Sequence, residues 1–230
     1  MEQRHNQDKH SLLFIIILGM LTAIGPLAID MFLPGLPELK NDFNTTTANA
    51  QLTLSFFMIG LGIGNLFVGP ISDSVGRKKP LIIVMTIFTL ASLGIIFVHN
   101  IWLMIILRLL QGITGGGAAV ISRAIASDLY KGNELTKFLS LLMLVNGVAP
   151  VIAPALGGII LSVAVWRVVF VILTIFGILM IMGSLTKIPE SLSLEYRDSS
   201  GIKVIFQNFK SLLGTPRFVL PMLCLLYTSP

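Results

Sequence analysis

Two charged residues of opposite sign lie inside long apolar stretches. Asp30 follows Pro26-Leu27-Ala28-Ile29, and Arg108 sits between Ile105-Ile106-Leu107 and Leu109-Leu110. An arginine at the centre of a membrane helix costs at least about 2.5 kcal/mol on insertion scales, so it must face the protein interior and find a partner. Asp30 is the only acid deep in an apolar run and is the partner the sequence offers. A carboxylate and a guanidinium in a poorly solvating interior form a switch. Movement that changes their separation changes how tightly the acid holds a proton. The pair points to proton coupling, with Asp30 as the proton-responsive group and Arg108 as its modulator. The plainer alternative is a buried ion pair that docks two helices, with Asp30 merely capping its own.

Three further patterns carry physical meaning. Gly69-Pro70-Ile71-Ser72-Asp73-Ser74-Val75-Gly76-Arg77-Lys78-Lys79 closes one apolar run and opens the next. There Gly69 allows a close helix approach and Asp73 can face a helix N-terminus. Gly76 permits a tight turn, and the three cations hold the loop on the cytoplasmic side. After Arg108 come Gln111-Gly112-Ile113-Thr114-Gly115-Gly116-Gly117, a thin helix face suited to close packing. The third pattern is Gly147-Val148-Ala149-Pro150-Val151-Ile152-Ala153-Pro154-Ala155-Leu156-Gly157-Gly158. Its two prolines, four residues apart, share one helix face and each removes a backbone donor, which predicts a kink. Its glycines are expected to press on a neighbouring helix.

These residues must be positioned by helices in lipid. The chain has 230 residues, 54% hydrophobic and 12% charged, against about 25% charged in soluble domains. A helix rising about 1.5 Å per residue crosses a ~30 Å hydrocarbon layer in about 20 residues. Six segments meet that length, near 11–34, 50–72, 80–99, 101–125, 136–161 and 166–186. The fold class expected is all-α membrane, a six-helix bundle over 11–186. Residues 1–10 form a cytoplasmic N-terminus and 187–217 a cytoplasmic linker with an amphipathic piece near 202–213. From Phe218 a seventh span starts and, at about a dozen residues, reaches only ~18 Å. The expectation is a truncated seventh helix over 218–230, with a second half missing.

Of the 16 lysines and arginines, Lys40 and Arg167 fall outside, Arg108 lies within a span, and all the others are inside if the N-terminus is cytoplasmic. That asymmetry sets the orientation and explains the net charge of +5 without a nucleic-acid partner. On this topology Asp30 and Arg108 lie roughly 6 and 10 Å from the outer ends of their spans, so they can meet. The apolar run from Ser11 continues past any signal-peptide length and lacks a small-residue cleavage site. A single cysteine, Cys224, excludes an intramolecular disulfide, and His5, His10 and His99 are too scattered for a metal site. Gly60-Leu61-Gly62-Ile63-Gly64 lies inside a span with no preceding strand, so helix packing explains it better than a nucleotide loop. No Walker loop and no nucleophile–base pair appear, which argues against ATP as the energy source and against an enzyme.

The loop over 69–79 resembles the signature between spans 2 and 3 of the major facilitator superfamily, matching at Gly69, Asp73, Gly76, Arg77 and Lys78. Arg108, Gln111 and Gly112 resemble its span 4 signature, which is linked to proton coupling in antiporters. Gly147, Pro150, Pro154, Gly157 and Gly158 resemble its antiporter signature in span 5, although Pro150 comes three residues after Gly147 rather than five. With Asp30-x-x-x-Pro34-x-x-Pro37, Trp166-Arg167 and Ile188-Pro189-Glu190-Ser191-Leu192, the chain is most similar to the Bcr/CflA (bicyclomycin-resistance) drug/proton antiporters. The resemblance implies a 6+6 fold in a bacterial inner membrane. It implies a cytoplasmic gating cluster of Asp73, Arg77 and Asp128, and export of small amphipathic drugs driven by the proton gradient without a cofactor.

Substrate is then expected near the midplane between the halves. Met31, Phe56, Phe57, Asn65, Met143 and Asn146 are the wall candidates, set against ordinary core or lipid packing. The rival readings are a facilitator or proton symporter on the same fold, and a non-transporting membrane fragment.

Overall fold

The computed structural model describes residues 12–192. The linker beyond Leu192, the amphipathic piece near 202–213 and the truncated seventh helix expected over 218–230 lie outside the described residues, as do residues 1–11.

Helix α1 covers Leu12–Asp30, and a 3-10 turn at Leu33–Gly35 leads into the short α2, Leu36–Asp42. Then follow α3 (Thr47–Val75), α4 (Lys78–Phe97), α5 (Ile101–Leu129), α6 (Gly132–Val163) and α7 (Arg167–Lys187). Six helical units, with α1 and α2 counted together, are long and apolar enough to cross a bilayer. Local chemistry marks their ends. Pro34 and Pro37 sit in first turns, where no amide hydrogen is needed. Thr46 caps α3 by accepting from the Asn49 amide at 3.2 Å, and Asn100 caps α5 by accepting from the Trp102 amide at 2.8 Å. Helices α5 and α6 each run about a turn beyond the expected span ends. Helix α6 continues unbroken through Pro150 and Pro154.

The bundle has five main contacts: α3 with α5, α4 with α7, α4 with α5, α1 with α6, and α1 with α5. Exchanging the first three spans with the last three turns α3–α5 into α1–α6 and leaves α4–α7 and α1–α5 unchanged, whereas α4–α5 maps onto the much smaller α1–α7 contact. This is the two-repeat arrangement expected of a transporter half. The repeats use different means, which is why they share no visible sequence pattern. The α3–α5 seam is made of glycine. A methyl at Gly60, Gly64, Gly112 or Gly116 would strike the carbonyl oxygen of Leu109, Ile113, Phe57 or Leu61 respectively. The α1–α6 contact has one comparable point, Gly157 against the Met31 carbonyl.

One end of the bundle, beside Pro34, is tied by polar groups. The Trp166 amide donates to Glu38 at 3.0 Å, and its indole nitrogen donates to Asp42 at 3.1 Å. Arg167 pairs with Asp42 and donates to the Ile96 and Val98 carbonyls at the end of α4. Helices α1 and α5 are the most deeply enclosed and α3 and α6 the least. On α6, Met143, Val151 and Val163 are 74%, 76% and 85% exposed, so that helix has an apolar surface with nothing packed on it among the described residues.

Candidate functional site

Arg108 is fully buried in the middle of the bundle. Its Nη1 donates to the Ala28 carbonyl at 3.1 Å and to Gln111 Oε1 at 2.9 Å, and Gln111 in turn donates to Ser92 Oγ at 2.7 Å. The rings of Phe57, Phe32 and Phe170 lie 4.6, 4.7 and 5.4 Å from its guanidinium carbon. Nε and Nη2 have no hydrogen-bond partner among the described residues. The direct pairing with Asp30 expected from the sequence is not formed; the ion pairs among the described residues are Arg77 with Asp73 and Asp128, and Arg167 with Asp42. The reason is helical phase. Residues two apart point about 200° away from each other, so a group that addresses Ala28 does not meet the side chain of Asp30. Aromatic faces and a carbonyl dipole take the place of the carboxylate. Asp30 itself is partly exposed.

The second cluster lies at the opposite end, where α3 turns into α4. Gly76 has φ +106° and ψ 167°, a conformation essentially restricted to glycine. The turn folds Arg77 back so that Nη1 pairs with Asp73 and donates to Ser72 Oγ at 2.7 Å, while Nε donates to Asp128 at 2.9 Å. Burial works against the charge on Arg77, but the hydrogen bond and charge of Asp128, followed by those of Asp73, outweigh it and hold its pKa above the usual value.

Two residues not assigned to this cluster from the sequence complete it. Glu190 accepts from the Arg77 amide at 2.7 Å and the Lys78 amide at 3.3 Å, and so caps α4. Ser191 Oγ donates to Asp128 at 2.9 Å. The Pro189-Glu190-Ser191 run was a visible signal, but nothing in it named the amides it would cap. Lys78 itself reaches the Leu185 carbonyl at 2.9 Å. Gly69 faces Val120, whose Cγ1 would stand 3.1 Å from an added methyl.

The Arg77 side chain is 7% exposed, and removing one member of a nearly buried pair strands the other. Arg77→Ala is therefore expected to destabilise the protein by about 3 kcal/mol, the low end for such pairs because Asp73 is half open. A thermal melt of the detergent-purified protein checks this. A midpoint equal to wild type would show that the clasp bears no weight.

The span 5 residues divide. Gly157 packs on α1, whereas Gly147 and Gly158 have nothing near them and Pro150 is exposed; Pro154 is partly buried. The expectation that all these glycines press on a neighbour thus holds for one of three among the described residues. The wall candidates divide as well. Met31 and Phe57 are core residues, 5% and 0% exposed, and Phe57 is held under Arg108. They face the glycine of α6 and the guanidinium of α5 respectively. Phe56 is half-buried. Met143 and Asn146 line a cavity of about 260 Å³ with Thr22, Ala119, Arg123, Leu139 and Leu142. Asn65 stands beside it, accepting from Arg123 Nη2 at 3.1 Å. By charge count Arg123 belongs to the basic residues that set the orientation. Its side chain instead leaves α5 from within the helix and reaches this cavity.

The profile of the Major Facilitator Superfamily matches residues 18–229. The chain belongs to that superfamily. This major facilitator chain is 42% identical over 218 residues to an uncharacterized MFS-type transporter, YdgK, of Bacillus subtilis, covering 94% of this chain and 54% of that protein. It is 32% identical to a bicyclomycin resistance protein homolog of Haemophilus influenzae, over 89% of this chain and 51% of the relative. Multidrug resistance protein D of Escherichia coli is 26% identical over the same shares. These relatives bear out the bicyclomycin-resistance-like assignment. The chain spans about half the length of the curated relatives it matches and corresponds to the N-terminal half of such a transporter. A crystal structure of the human organic anion transporter MFSD10 shares the fold, with a TM-score of 0.65 at 15% identity, over 84% of this chain and 52% of that one. The protein is thus an integral, multi-pass membrane protein of a transporter family.

Proposed function

We propose that the complete transporter containing this half exports small amphipathic drugs in exchange for protons, by alternating access in a bacterial inner membrane. Its N-terminus, and with it the Arg77 cluster, would lie in the cytoplasm. The observation that carries the reading is Arg108: a fully buried cation with two nitrogens unpartnered among the described residues, held to the α1 backbone two residues from the acid Asp30. Such an arrangement stabilises the bundle poorly, and a function that uses the charge accounts for its presence. Names of relatives that refer to multidrug and bicyclomycin resistance support the drug class. Asp30 is the proposed proton carrier. Arg108 would sense its state through the shared turn of α1, and the Asp73–Arg77–Asp128 cluster would latch the cytoplasmic side. The proposed partners are a drug molecule, the bilayer and a second six-helix half; no cofactor beyond the proton gradient is invoked, and no nucleic acid. A facilitator or symporter would share this fold but would not need a span 5 of antiporter type.

Everted vesicles carrying the complete transporter test this. Asp30→Asn should abolish drug movement driven by a pH gradient while leaving drug–drug counterflow intact. Unchanged gradient-driven movement in that variant would overturn the assignment of Asp30.

A further inference from the structure

The geometry points to Arg123 as an anion-binding group in the cavity, and to a transported solute that carries a carboxylate- or sulfonate-type group on an apolar body. This rests on the export reading above and adds the charge class of what is carried.

Arg123 lies six residues before the end of α5, about 9 Å along the axis. Its side chain is exposed and lines the 260 Å³ cavity. Nε donates to the Ala119 carbonyl at 3.2 Å, and Nη2 donates to Asn65 of α3 at 3.1 Å. The guanidinium is therefore held in one orientation, with Nη1 left without a protein partner among the described residues. Among the described residues, every acid that could neutralise it is engaged elsewhere or remote. Asp73 and Asp128 hold Arg77, Asp42 holds Arg167, and Glu38 and Glu190 bind backbone amides. Asp30 is at the other end of the bundle, and Glu134 forms no salt bridge with Arg123. Its charge, open to the cavity and without an acidic partner among the described residues, is available to an anion that reaches it.

The rest of the wall suits the remainder of such a molecule. Leu139, Leu142 and Met143 offer apolar and adaptable surface, and Asn146 adds a polar edge. An oxyanion that offers two oxygens side by side, as a carboxylate or a sulfonate does, matches the fork of an oriented guanidinium. An acidic side chain from the second half could supply the same charge. It would neutralise Arg123 permanently and leave transport indifferent to solute charge, which separates the two sources by experiment.

The probes are 8-anilinonaphthalene-1-sulfonate and N-phenyl-1-naphthylamine, which share a ring system and differ in the sulfonate. Binding to the complete transporter in nanodiscs is read by fluorescence with empty discs subtracted, and gradient-driven movement is followed in everted vesicles. Arg123→Gln should weaken binding of the sulfonate about tenfold, the weight of one charge-assisted hydrogen bond, and leave the neutral probe unchanged. Arg123→Lys should recover much of the loss. Equal loss of both probes would mean a structural role, and loss of neither would mean that no solute anion is held; either result overturns the proposal. Charge-selective binding without gradient-driven movement would support the anion site and overturn the export reading.

Discussion

Gly64→Ala and Gly112→Ala should each leave little folded transporter in the membrane, whereas Gly62→Ala should be silent. All three changes add one methyl to a glycine on or near the α3–α5 seam. At Gly64 the methyl would drive into the Ile113 carbonyl oxygen, and at Gly112 into that of Phe57. These are backbone atoms of long helices, so no rotamer change can relieve the clash and the helices must separate. Overpacking of a fitted interior costs about 1–3 kcal/mol and sometimes more, and here it also parts the other contacts along the seam. In lipid no hydrophobic force restores the helix pair, because close packing is itself what holds it. Gly62 faces open space, with nothing within 4 Å of an added methyl, so Gly62→Ala controls for helix propensity. Fluorescence-detected size exclusion of tagged, solubilised protein reads the folded fraction. A monodisperse Gly64→Ala peak equal to wild type would contradict the seam.

Arg108→Lys should fold but lose at least about tenfold in gradient-driven export, the equivalent of ~1.4 kcal/mol. The charge is conserved, yet the site is shaped for a flat cation. Three rings stand 4.6, 4.7 and 5.4 Å from the guanidinium carbon, and Nη1 bridges Ala28 and Gln111. An ammonium is a compact and strongly hydrated point charge that cannot spread over several ring faces while forking to two acceptors. Each ring contact is worth about 0.5–2 kcal/mol, so losing even one or two reaches the expected effect. The size-exclusion profile should stay normal, because the cavity left is small and the glycine seam beside it is untouched. Vesicle efflux with and without a pH gradient separates the coupling defect from a folding defect. Full export by Arg108→Lys would mean that only the charge matters there.

The six spans could be read from residue order because their cause is local. Runs of about 20 apolar residues between basic loops have no other stable home. The Gly76 turn and the pairing of Arg77 with Asp128 were also foreseeable, the first from backbone sterics and the second from the resemblance. Burial of Arg108 followed from the cost of its charge in lipid. Its partners did not, since which neighbour an arginine meets depends on the rotation of another helix about its axis. One hundred degrees per residue puts the Ala28 carbonyl, rather than the Asp30 carboxylate, within reach.

The same reasoning explains where the wall candidates fall. Met31 and Phe57 have the composition of a drug cavity, but helix phase turns both into the core. Arg123 counts in the sequence as one of the basic residues that set orientation, but its bond to Asn65 of α3 holds it at the cavity. Glu190 needed α7 to end beside α4 before it could cap anything. Composition and spacing are properties of one helix at a time and suffice to say what crosses a membrane. Partnership in a bundle belongs to pairs of helices, and their relative rotation emerges only when glycines, rings and caps have all been packed at once.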